Sequence, residues 1–169
     1  MRAEHGAAAL TRLAFSDRVR DLIDDAIHLI PTLDDHASSP ADHLAQALRL
    51  HTQAGKVVTA AVLYARAERL GWADIAMYAG IKTTSVIERW EPEEQRWHEL
   101  LQRAQGAERP GPSDRHVVFA PEAYAADLDS WATKHIDALR IERWVAEGKD
   151  SSHPVSGGLP PAVTGPESR

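Results

Sequence analysis

The residues with chemistry to offer lie in a short span. Arg66 and Arg69 are followed, after a Gly-punctuated apolar stretch, by the run Lys82-Thr83-Thr84-Ser85 and then by Glu88 and Arg89. Lysine and hydroxyl groups bind phosphate oxygens, the threonine methyl can meet a thymine methyl, and glutamate accepts a hydrogen bond from cytosine. At helical spacing Lys82, Thr83 and Thr84 open a helix and point outward, with Ser85 and Glu88 further along. Arg66, Arg69 and Arg89 then fall where phosphate contacts are expected. The implied chemistry is recognition of duplex DNA rather than catalysis.

Side chains of this kind read a major groove when two short helices cross steeply, the second in the groove and the first bracing it. The chain supplies the required residue types in order. Ile75 is the inner apolar residue of the first helix, Ala76 the small residue at the crossing, and Ala79 a further inner position. Gly80 forms the turn, Ile81 is the apolar plug after it, and Val86 is the buried contact of the second helix. Trp90, one turn after Val86, completes the packing and releases Arg89 towards phosphate. Two helices joined at a glycine also occur in all-α proteins that never meet DNA, and among residues 72–90 the basic ones are Lys82 and Arg89 alone.

The stretch from about His43 to Trp90, and above all "ARAERLGWADIAMYAGIKTTSVIERW", resembles the small helix-turn-helix DNA-binding proteins of high-GC bacteria. In those proteins an Ala- and Arg-rich helix leads into a Gly-Trp or Ser-Trp start, an "IA" or "IG" pair, a Gly-hydrophobic turn and a closing Arg-aromatic pair. The resemblance implies an all-α, regulatory DNA-binding module. This chain departs from the pattern in having Lys82-Thr83-Thr84 where a Ser-Arg-Gln-like start is frequent.

Other chemistries find less support. Nine His residues raise the question of a metal, and His36, His43 and His51 stand seven and eight residues apart, but no HxxxH or HExxH pair exists. We expect no metal and no cofactor. The "PVSGGLPP" run lacks the strand and helix of a phosphate loop, there is no G-x-S-x-G site, and Cys is absent, which removes thiolate chemistry and disulfides. The expected protein is a non-enzyme. No stretch approaches the roughly 20 apolar residues of a membrane span, and no export signal is read at the start, so the expectation is a cytoplasmic protein.

Helical periodicity dominates the elements that must hold these residues. Ser16 is placed to cap a first helix with Val19, Leu22, Ile23, Ala26 and Ile30 on one face, ending at Pro31. A second run starts at Ser39-Pro40, with Leu44, Ala47 and Leu48 on a stripe, a break or bend near Gly55, and a left-handed end at Gly71. Pro92 breaks the pattern, and a further helix reaches about Gln105. "HVVFA" is strand-like. From Pro121 a single helix of about 39 Å at 1.5 Å per residue runs on, with Tyr124, Leu128, Trp131, His135 and Leu139 on one stripe. The expected organisation is an N-terminal helix and linker (1–38), a helix-turn-helix domain (39–106), a loop with a short extended segment (107–120), a C-terminal helix (121–147) and a disordered tail (148–169). The fold class is an all-α helical bundle.

Net charge is −6, and residues 50–110, with eight basic and eight acidic residues, form the one segment that is not net acidic. Ile-Glu-Arg-Trp occurs at 87–90 and again at 141–144, but nothing like the Gly80 turn precedes the second copy, so it is no repeated module. Trp131, Leu139 and Trp144 on the C-terminal helix are the candidate partner contacts, and a homodimer is expected because DNA readers of this type bind as two-fold pairs. The competing expectation is an acidic adaptor, docking on transcription machinery or, like an antitoxin, on a toxin, through the same bundle without DNA.

Overall fold

Leu10, Leu13 and Ala14 recur at three- and one-residue steps upstream of Ser16, and that stripe is what the first helix buries. The computed structural model describes residues 5–30, 39–106, 116–135, 138–148, 152–157 and 159. Helix α1 (Ala7–Ile27) therefore starts well before Ser16, which lies inside it and caps nothing. The expected face of Val19, Leu22, Ile23, Ala26 and Ile30 is half-buried to exposed.

Helix α2 (Pro40–Ala67) begins where the sequence indicates. Asp42 N–H donates to the Ser39 hydroxyl at 3.3 Å and Ser39 N–H donates to the Asp42 carboxylate at 2.9 Å, a reciprocal cap followed by Pro40. The backbone bond from Ser39, then that from its hydroxyl, hold the Asp42 pKa below its ordinary value. No break occurs at Gly55. One glycine costs a helix about 1 kcal/mol against alanine, and α2 runs through it for 28 residues.

The end of α2 corrects the expected role of Gly71. Leu70 N–H donates to the Ala65 carbonyl and Arg69 N–H to that of Arg66, both at 2.9 Å, with Arg69 in the left-handed region at φ 68°. This is a Schellman closure with arginine where glycine is usual. Gly71 is extended and starts α3 (Trp72–Ala79), its N–H donating to the Asp74 carboxylate at 3.2 Å. The same closure ends α3. Ile81 N–H bonds the Ala76 carbonyl, Gly80 N–H that of Met77, and Gly80 sits at φ 66°.

Helix α4 (Thr83–Gln105) passes unbroken through Pro92, against expectation. The proline removes the donor to the Glu88 carbonyl and crowds it, at a cost of about 3 kcal/mol. Buried Trp90 before it and buried Trp97 after it hold the helix in place. Each tryptophan belongs to a different core. The smaller gathers Val62, Ile75, Ala76, Val86 and Trp90, with Leu70 and Trp72 at its edge. The larger draws Leu10 and Leu13 from α1 and Trp97 and Leu101 from α4 together with the later elements.

"HVVFA" is not extended but starts the single helical turn α5 (His116–Phe119), whose Val117, Val118 and Phe119 are all buried. A strand would send alternate side chains to opposite faces; a turn lets three in succession enter one core. Of the single helix expected from Pro121, the described residues comprise α6 (Pro121–His135) and α7 (Ala138–Ala146), and residues 136–137 lie outside them. No β-strand occurs among the described residues, and no helix there is long and apolar enough to cross a membrane.

Part of the expected disordered tail is docked. The buried carboxylate of Asp129 on α6 accepts from Val155 N–H (2.8 Å), Ser156 N–H (2.9 Å), the Ser156 hydroxyl (2.6 Å) and His153 Nδ1 (3.3 Å). Burial opposes its ionisation, but those bonds, the Ser156 hydroxyl foremost, outweigh it and hold the pKa below 3.8. The Arg12 guanidinium donates to the Ser156 carbonyl, and Leu159 enters the larger core. Tail residues 160–169 lie outside the described residues.

Candidate nucleic-acid interface

The α3–α4 pair is held from beneath. Val86 has no exposed surface, Trp90, Ile75 and Ala76 are buried with it, and Trp72 packs at the edge. Ala79 and Ile81 do not join them. Both are exposed, as are Met77 and Tyr78, because α3 packs chiefly against α4 and the core stops short of the turn.

Above this body the start of α4 is open. Lys82 is the N-cap residue, extended at φ −66° and ψ 143°, and Thr83, Thr84 and Ser85 form the first turn. All four are exposed, as are Glu88 and Arg89. No hydrogen bond or ion pair engages the side chains of Lys82, Thr83, Thr84, Ser85 or Glu88 among the described residues. The start of α4 also differs electrically from those of α2 and α3. Asp42 and Asp74 compensate the positive ends of those helices, whereas α4 has no acid in its first turn and no side-chain cap.

The arginines divide by task. Arg66 is a strut: its Nε donates to Glu94 of α4 at 3.0 Å, its guanidinium bonds the Leu70 carbonyl at 2.8 Å, and it lies 4.3 Å over the Trp72 ring. It ties α2, α3 and α4 together and is not presented for phosphate. Arg69 is exposed at the left-handed turn. Arg89 lies 4.8 Å over the Trp90 ring and makes no ion pair among the described residues.

The three candidate partner residues resolve differently. Trp131 is half-buried within the chain, donating to Asp24 of α1 at 3.1 Å and stacking on His135 at 4.5 Å. The side chains of Leu139 and Trp144 lie outside the described residues. Among the described residues no three His, Cys, Asp or Glu side chains gather as a metal site, and His36 lies outside them.

Periodicity missed one feature that its own spacing carries. Lys82, Arg89, Arg96 and Arg103 stand at successive seven-residue steps, so α4 bears a basic line along its length, about 10.5 Å per step. Compared with known proteins, the chain matches no family model, no curated protein and no solved structure.

Proposed function

We propose that the chain is a sequence-specific DNA-binding protein, a transcriptional regulator whose α4 start enters the major groove. The observation that carries this reading is the α4 N-terminus: lysine and three hydroxyl residues exposed and unengaged, on a helix end left without the acid that its neighbours have. Phosphate at that end would supply the missing negative charge. Lys82, Thr83, Thr84, Ser85 and Glu88 stand nearest the bases, with Arg69 and Arg89 on phosphate. Two-fold readers need a second copy. The first half of α2 supports one, since no residue before Ala60 is buried and Leu44 and Leu48 are exposed.

A second reading, an adaptor that docks on a protein through the same bundle, is favoured by one observation. Met77 and Tyr78 are 68% and 78% exposed and stand beside Ile81, an apolar surface of little use against phosphate.

Salt dependence separates the two. A labelled pool of genomic fragments should be retained at low salt and released as salt rises, and Lys82→Ala should lower the slope of log affinity against log salt by about 1. Absence of retention at low salt would sink the DNA reading. Retention unchanged by both Lys82→Ala and Arg89→Ala would move the interface away from α4.

A further inference from the structure

Arg89, Arg96 and Arg103 continue the basic line of α4 away from its first turn, and the fold brings Arg18 of α1 and Lys56 of α2 to face them. The three helices bound a cleft of about 680 Å³. Its floor is apolar, with Ala14, Ala60 and Trp97 buried and Leu63 and Leu100 beside them. Five cations face two carboxylates, Glu93 and Glu99, an excess of three positive charges in a chain whose total is −6.

Local ion pairs meet part of that charge. Arg96 is held by Glu93, and Arg18 lies 3.7 Å from Asp21. Lys56 has no ion pair, and Arg89 rests on an aromatic ring, among the described residues. The Arg18 Nε is buried without a hydrogen-bond partner there, and a buried donor left so costs about 1–3 kcal/mol. The hydroxyls of Thr52 and Thr59 donate to the carbonyls of Leu48 and Gly55, so the cationic groups are the donors that face the cleft. Gly55, mid-helix where almost any other residue is a better helix former, recesses the wall: a Cβ there would meet nothing within 4 Å.

We propose that this cleft binds a small organic phosphate, its anionic group held by Lys56 and an arginine of the facing α4 wall and its apolar body against the Ala14, Ala60 and Trp97 floor. Amphipathic anions match both halves of the lining, and ligand sites of this size combine an apolar wall with a few convergent polar groups. A DNA duplex is too wide to reach the buried floor. The proposal stands apart from DNA binding by the α4 start, Arg89 being the residue common to both.

Calorimetric titration of the full chain with 2-naphthyl phosphate tests it, with 2-naphthol and inorganic phosphate as its separate halves. One 2-naphthyl phosphate should bind per chain, more tightly than either half. Gly55→Leu, which fills the recess, and Lys56→Glu, which reverses a charge, should each weaken it by about tenfold or more. Circular dichroism checks that both variants fold, and DNA retention should survive Gly55→Leu. The proposal is overturned if 2-naphthyl phosphate gives no heat at about 1 mM or binds both folded variants as it binds the wild type. It also fails if inorganic phosphate binds as tightly, or if Gly55→Leu abolishes DNA retention.

Discussion

Trp90 and Trp97 lie two turns apart on one helix, yet they serve cores built in different ways. The core around Trp90 is assembled from residues 62–90, a span in which each contact closes a short loop. The core around Trp97 reaches from Leu10 to Leu159. The difference extends to the indole nitrogens. Trp97 Nε1 donates to Thr11 at 2.8 Å, whose own hydroxyl bonds the Ala7 carbonyl, whereas Trp90 Nε1 is buried without a partner among the described residues. Trp90 thus stabilises by area and shape, while Trp97 also links two distant parts of the chain. The smaller core is a platform for the open start of α4; the larger one is where the whole chain is tied together.

The largest effects come from removing either indole. Trp97→Ala and Trp90→Ala should each destabilise by about 3–5 kcal/mol in urea titrations. Their hydrogen-exchange patterns should differ. Trp97→Ala should expose amides of α1, α4 and α6 together, and Trp90→Ala chiefly those of α3 and the first half of α4. Identical patterns would merge the two cores into one cooperative unit.

A smaller effect belongs to the clamp that joins the C-terminal segment to the larger core. Asp129→Asn should cost about 1–3 kcal/mol, since it replaces an ionised acceptor of four hydrogen bonds. Because the pKa of Asp129 is lowered in the fold, its contribution is complete above the ordinary value of 3.8 and is lost as pH falls through the lower, folded value. Wild type and variant should therefore converge in stability below that point. A difference that persists unchanged into strong acid would show that charge is not what holds the clamp.

The smallest effects concern the two Schellman closures that frame α3. Gly80→Ala places a side chain at φ 66° and should cost about 1–2 kcal/mol. Arg69→Gly, at φ 68°, should instead stabilise by up to about 1 kcal/mol. Thermal melts read both signs, and a loss on Arg69→Gly would reveal a role for that side chain beyond its backbone.

The contrast between the cores also explains which residues were legible. Ile75, Ala76, Gly80, Val86 and Trp90 fall where their spacing puts them, because a helix, a left-handed glycine and a second helix are set by neighbours a few residues away. Ala79 and Ile81 fit the same pattern and are exposed, since burial needs a second surface and none reaches the end of α3. "HVVFA" looks like a strand in isolation, and the larger core makes it a helical turn. Arg66 reads as a phosphate contact until Glu94 and Trp72 arrive beside it.

By itself the sequence determined the helical pattern of the chain, the start of α2 at Ser39-Pro40, the turn at Gly80 and the polar first turn of α4, which depend on residues only a few positions apart. Tertiary structure alone decided that α4 runs through Pro92, that Asp129 captures residues 153–156, and that Arg18 and Lys56 face the basic line of α4 across a cleft. Each of those joins residues far apart in the chain, and their meeting depends on which apolar faces the folded chain buries against one another.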